Sequence, residues 1–276
     1  MSNRHFDFRL DVTGILLLLP LLAAPLLTTN PLFQSLTYQF AIGIAASLGI
    51  YVMLRMGLLA FTVPAFMAIG GYAAAMLAAR GFTELPLLML ASFVVPMAFA
   101  LPLGGIVLRL KGLYFIFITF IFNEILQLIF FETPTLTGGS DGIVGIPPTT
   151  FLGLDLGAPW KQVLVTVIVC VTAALVALAV TQRYRAEFSA IEENDTLAES
   201  LGVEIWKYRM IGFIASAGVS GLAGFALVNI LGTAHPSSFS SWSVNNYIAY
   251  VFIGGRGTIL GVVVGGYLLI FMGNLF

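Results

Sequence analysis

Residues 163–181, VLVTVIVCVTAALVALAVT, run without one charged side chain between Lys161 and Arg183. About 20 apolar residues in a helix cross the hydrocarbon core of a bilayer, and comparable blocks cover residues 12–29, 37–54, 57–79, 85–108, 112–131, 210–231 and 258–276. These blocks constrain the fold more than any motif, because backbone in lipid must satisfy its own hydrogen bonds and only helices and closed barrels do so. The apolar residues are continuous and neither striped nor alternating. The expectation is therefore an all-α integral membrane protein, a polytopic bundle of about 8–9 transmembrane helices. Composition agrees: 9% of the 276 residues are charged, where a soluble domain carries about 25%.

The stretch 237–254 is harder to place. Its second half is apolar but too short to cross alone, and its first half, Ser237-Ser238-Phe239-Ser240-Ser241-Trp242-Ser243, is polar. It either spans with a polar half facing protein or water, or it dips in and returns. Basic residues favour cytoplasmic segments. With a cytoplasmic N-terminus and nine spans, Arg4, Arg9, Arg55, Arg109, Lys111, Arg183, Arg185, Lys207, Arg209 and Arg256 fall inside, and Arg80 and Lys161 fall outside. The re-entrant alternative moves only Arg256. An odd count leaves the last block ending outside, which predicts that a further span follows Phe276.

Arg4, His5 and Arg9 precede the first block in the manner of a signal sequence, yet no small-x-small cleavage site follows before Thr28-Thr29-Asn30. The block reads as a retained first span. The single cysteine, Cys170, sits inside an apolar block and has no intrachain disulfide partner. Net charge is −1, so no basic face points to nucleic acid. Gly212, Ser216, Ser220 and Gly224 form a small-residue ridge, and Gly257, Gly261, Gly265 and Gly273 form another, interrupted by Leu269. Such ridges let helices approach closely, within one chain or between subunits.

Two connections are longer than simple turns. Residues 132–160 include Thr137, Gly138, Gly139, Asp141, Gly142, Gly145, Pro147 and Pro148, a turn-rich composition that predicts an ordered outer lid. It serves either to meet a partner or gate a cavity, or simply to cap the bundle. Residues 182–207, on the opposite side, hold six of the thirteen acidic residues: Glu187, Glu192, Glu193, Asp195, Glu199 and Glu204. Ala190, Asn194, Leu197, Ala198 and Leu201 recur there at helical spacing, and Gly202 follows as a stop. This predicts one short amphipathic helix outside the membrane. Its acidic back disfavours an anionic leaflet and suits a groove on a partner protein, with a solvated connecting helix as the alternative.

Within block 112–131 lie Asn123, Glu124 and Gln127, and Glu124 is the one acidic residue well inside a block. A carboxylate at that depth is costly unless paired or wetted. These residues either line a solute pathway or clamp two helices together. Asn229, Asn245 and Asn246 are further candidates near the outer ends of later blocks. No Gly-x-x-x-x-Gly-Lys-Ser/Thr loop is present, so ATP binding of the P-loop kind is excluded. The two histidines, His5 and His235, do not make a metal site or a nucleophile pair. No cofactor is indicated. A secondary transporter would carry ion-coordinating groups near midmembrane, and only Glu124 qualifies.

Four stretches bear a resemblance to a known family: MGLLAFTVPAFMAIGGYAAA at 56–75, LRLKGLYFIFITFIFNEILQLIFFETPTLTGGSDGIVGIP at 108–147, FSAIEENDTLAESLG at 188–202, and residues 209–266, which include Gly254-Gly255-Arg256-Gly257-Thr258. Their order resembles LivM-type permeases of branched-chain amino acid ABC importers, in a wider group that includes urea and sugar permeases. The resemblance implies a transport subunit and no enzyme, placed in a bacterial inner membrane. The implied partners are ABC ATPase subunits, a second homologous permease subunit in a heterodimer, and an extracytoplasmic solute-binding protein. It also implies that 188–202 is the coupling helix, seating Ala190, Ile191, Glu193, Asn194, Leu197, Ala198, Leu201 and Gly202 in a cleft of the ATPase. The pathway would be largely apolar. Glu192 departs from the pattern, since a basic residue usually follows the Ala-Ile pair. Members of the family usually continue with one more span and a tail.

Overall fold

The computed structural model describes residues 2–21 and 30–273. Its helices are α1 (Ser2–Leu16), α2 (Pro31–Leu54), α3 (Val63–Ala79), α4 (Leu85–Val107), α5 (Leu113–Glu132), α6 (Pro159–Arg183), α7 (Arg185–Glu193), α8 (Asp195–Ser200), α9 (Ile205–Leu231), α10 (Trp242–Gly254) and α11 (Ile259–Gly273). A two-stranded hairpin, β1 (Thr150–Phe151) with β2 (Leu154–Asp155), lies between α5 and α6. Helix is the rule because each apolar block closes its own backbone hydrogen bonds, as lipid requires. The chain is an all-α multi-pass membrane protein.

Five of the described helices are long and apolar enough to span: α2, α4, α5, α6 and α9. A sixth span results if α10 and α11 count together, for the stretches 236–254 and 259–272 are apolar as a pair but bent by 116° at the break between them. Alone, α10 and α11 reach about 20 and 22 Å at 1.5 Å per residue, short of a core of about 30 Å. The stretch 237–254 is thus half of a bent pair and no full crossing by itself. Of the first apolar block, residues 22–29 lie outside the described residues. The block at 57–79 is helical only from Val63, where Pro64 stands in the first turn. Before it, residues 58–62 are irregular but packed inside, and Phe61 N donates to Thr119 Oγ1 of α5 at 3.2 Å. Irregular backbone survives at such depth when protein satisfies it.

Small residues decide what sits at the centre. The most apolar windows of α2 and α9 are each 83% buried, and that of α5 is 17% buried. Helix α9 packs against α2, α3, α4 and α6. The ridge predicted on it serves this packing within the chain: Ser216 Oγ donates to Gly49 O at 2.7 Å, and Gly224 rests on the backbone of Met67. A side chain at Gly224 would collide with the Met67 carbonyl. The second ridge works likewise, with Gly261 and Gly265 held against the backbone of Gly254 and Tyr250. This close seam binds α10 to α11.

Candidate functional site

Helix α5 enters from Lys111-Gly112, where Gly112 takes φ +58, and runs along the rim of the bundle. Phe115, Thr119 and Asn123 recur every four residues and form its buried edge. Tyr114, Phe117, Ile121, Ile125 and Leu128 are exposed on the remaining faces. Glu124 lies among the exposed positions, next to the buried Asn123.

The polar residues of α5 meet the polar stretch before α10. Asn123 Nδ2 donates to Ser241 Oγ, which donates in turn to Glu124 Oε1. Gln127 Nε2 donates to Pro236 O at 3.4 Å. The structure therefore brings Asn123, Glu124 and Gln127 together, through backbone and a hydroxyl from residues 236–241. The same stretch is held from the 132–160 connection: Ile143 and Ala234 exchange backbone hydrogen bonds of 2.9 Å, and His235 Nε2 lies 2.7 Å from Ser140 O. The sequence carries no signal that Ser241 and His235 meet these partners; a hydroxyl among five serines does not announce its partner.

The 132–160 connection is ordered, as its turn residues predict. Thr137 is buried, and its Oγ1 donates to Phe130 O and Thr133 O and accepts from Gly139 N. Gly138 takes φ +78 at the end of the turn Pro134–Thr137, a conformation open to glycine. Asp141 is exposed. Beneath this connection, a cavity of about 400 Å³ is bordered by Ala74, Ala78, Pro148, Thr149, Phe225 and Asn229. Thr149 Oγ1 donates to Asn229 Oδ1 at 2.6 Å, while Asn229 Nδ2 is buried without a hydrogen-bond partner among the described residues. Asn245 and Asn246 are exposed on α10, apart from that cavity.

At the other end, residues 182–207 depart from the single helix expected of them. They form two short helices, α7 and α8, with Asn194 extended between them at φ −162, ψ 112. The reason is capping: Asn194 Oδ1 accepts from Leu197 N at 3.1 Å, an N-cap that starts α8. The break splits the expected stripe. Phe188, Ile191 and Ala198 are buried against the bundle, whereas Leu197 (57%) and Leu201 (74%) are exposed. Ala190 is half-buried, Glu193 is exposed, and Gly202 takes φ +86 after α8.

Ion pairs anchor this connector. Arg209 Nη2 donates to both Asp195 oxygens at 2.8 Å from the buried base of α9. Lys111 Nζ, just ahead of α5, stands 3.0 Å from Asp195 Oδ2. Arg256, between α10 and α11, stands 3.3 Å from Glu192 Oε1. Nearby, Asp11 Oδ1 accepts from Ile259 N at 2.8 Å and Oδ2 from Gln182 Nε2 at 2.6 Å. Burial raises the Asp11 carboxyl above its ordinary value, opposed by those hydrogen bonds and by Arg55 and Arg185.

The family described as "Branched-chain amino acid transport system / permease component" matches residues 32–276. The high-affinity branched-chain amino acid transport system permease protein LivM of Salmonella typhimurium is 30% identical over 257 residues, which covers 82% of this chain and 59% of that protein. LivM of Escherichia coli K12 is 29% identical over the same share of each chain. The D-allose transport system permease protein AlsC of Escherichia coli K12 is 25% identical over 253 residues, covering 88% of this chain and 74% of AlsC. The chain thus spans 59% of the length of its LivM relatives. No solved structure matches it.

Proposed function

Because the chain belongs to the family of branched-chain amino acid transport system permease components, we propose that it is the membrane subunit of an ABC importer for branched-chain amino acids. ATP is hydrolysed by a separate chain. The observation that carries this reading is the acidic connector: Leu197 on α8 and Leu201 at its C-cap are exposed, while an ion pair joins Asp195 to Arg209 at the base of α9. An exposed leucine pair on and just after α8 offers an apolar knob to a groove in the ATPase. Ala190, Ile191, Glu193, Asn194, Ala198 and Gly202 shape and hold that knob.

The same reading orients the chain. The connector end faces the cytoplasm with the N-terminus, in a bacterial inner membrane, and the 132–160 connection faces outward. There Thr137, Gly138, Gly139 and Asp141 build a firm surface for a solute-binding protein. Helix α5 presents Glu124 on its exposed side, and a carboxylate in a spanning helix is placed toward protein or water in preference to lipid. That side accordingly faces a second, homologous permease subunit across the solute pathway, with Asn123, Glu124 and Gln127 at its polar point. A sugar permease is the second reading, supported by the likeness to AlsC at lower identity.

The test is reconstitution with ABC ATPase and binding-protein subunits in liposomes, with labelled leucine, allose and urea offered in turn. ATP-dependent uptake of leucine above the other two is the expected result. Uptake of allose or urea alone would overturn the substrate assignment. Co-purification of the ATPase with a Leu197→Asp, Leu201→Asp variant at the unmodified level would overturn the docking assignment.

A further inference from the structure

Lys111 and Arg256 are 145 positions apart in the chain, yet each lies at the foot of a helix and each pairs with the 182–207 connector. Lys111 leads into α5 through Gly112. Arg256 sits in the turn that joins α10 to α11, with Gly255 at φ +102 before it. Glu124 lies about 20 Å along α5 from Lys111, and Ser241 lies about 20 Å along α10 from Gly254, at 1.5 Å per residue. At those far points the two helices meet in the Asn123–Ser241–Glu124 hydrogen bonds. Connector, α5 and α10 thus form a closed frame with ion pairs at two corners and the intramembrane polar cluster at the third.

We infer that the Glu192–Arg256 and Asp195–Lys111 ion pairs transmit movement of the connector to the two helices that meet at Glu124, making these four side chains positioning residues for transport. The inference rests on the proposed docking of the connector to an ATPase. Two features separate this role from simple anchoring. The cationic partners are exposed, at 66% for Lys111 and 58% for Arg256, and exposed pairs contribute little to stability. Each also duplicates a firmer anchor. Asp195 retains Arg209 when Lys111 is removed, and the turn at 255–258 retains Arg55 Nη1 on Gly257 O at 3.1 Å and Asp11 on Ile259 N. The fold is therefore held without these two pairs. What they add is a direct link from the moving connector to α5 and α10, the latter locked to α11 along the glycine seam.

The Glu192 carboxylate lies 3.3 Å from the Arg256 guanidinium, which gives the connector a partner for that charge within the chain itself.

The experiment uses the reconstituted transporter and reads leucine taken up per ATP hydrolysed. Glu192→Gln and Lys111→Gln are each expected to lower that ratio about threefold, the scale of a partly exposed ion pair, with ATPase co-purification unchanged. Exchanging the charges, Glu192→Arg with Arg256→Glu, is expected to restore most of the loss. A wild-type ratio in the Glu192→Gln, Lys111→Gln double variant would overturn the inference, as would a charge exchange no better than Glu192→Gln. If the unmodified chain binds no ABC ATPase, the transport reading falls and takes this inference with it; unchanged ratios with normal assembly sink the inference alone.

Discussion

Ser241 and Glu124 are 117 positions apart in the chain and joined by a hydrogen bond, with Asn123 donating to the same hydroxyl. One hydroxyl satisfies a buried amide and an exposed carboxylate at once. The relationship ties the rim helix α5 to a segment that is also pinned by Ile143 and Ser140, so the polar point of α5 and the 132–160 connection share a support.

Removing that hydroxyl should cost stability. In Ser241→Ala, Asn123, which is 2% exposed, loses its acceptor, and an orphaned buried group costs about 1–3 kcal/mol. Thermal unfolding in detergent should show a clear drop in midpoint for Ser241→Ala and little change for Ser243→Ala, whose side chain makes no hydrogen bond among the described residues.

Glu124→Gln keeps an acceptor for Ser241 and removes the charge. Assembly and midpoint should stay close to the unmodified protein, while leucine uptake should fall about tenfold, as expected for loss of one charge-assisted bond of about 1.4 kcal/mol. Normal uptake would make the Glu124 group a clamp between segments and nothing more.

The two faces of the connector should respond oppositely to mutation. Phe188 is fully buried, so Phe188→Ala should lower stability by about 3–5 kcal/mol. Leu197→Ala should leave stability within about 0.5 kcal/mol yet weaken ATPase binding. Measuring both quantities on both variants separates core from docking surface.

Asp11 permits a pH test. Its carboxyl is raised by burial, so the native protein holds that proton more tightly than the unfolded chain does. The contribution to stability is then full below the ordinary carboxylate value of 3.8 and is lost as pH rises through the raised native value. Asp11→Asn, which keeps an acceptor for Ile259 N, should flatten this part of the stability profile. Asp11→Leu leaves Ile259 N and Gln182 without partners and should destabilise at every pH, by about 1–3 kcal/mol.

Particular residues show how far the sequence could be read. Charge-free runs such as 163–181 announce themselves because lipid leaves a helix almost no alternative. Asn123, Glu124 and Gln127 stood out since polar groups are rare in such runs. The start of α3 at Val63 was hidden: 57–62 is as apolar as a helix, and its irregular path depends on the Thr119 hydroxyl from another segment. The break at Asn194 was ambiguous, because asparagine fits a helix surface or an N-cap and only the observed backbone decides. The pairs Glu192–Arg256 and Asp195–Lys111 join segments distant in the chain, and no local pattern encodes such partners.

The exposed carboxylate on α5 also bears on how the protein is made and kept in the cell. A charged side chain at the centre of a spanning helix costs about 2.5–3.5 kcal/mol to insert, and a solitary copy recovers only what Ser241 supplies. In the proposed pairing, a second subunit that covers or wets Glu124 would remove the remainder. Copies without that subunit would then be the less durable form, and the amount of this chain found in the membrane should follow the supply of its partner.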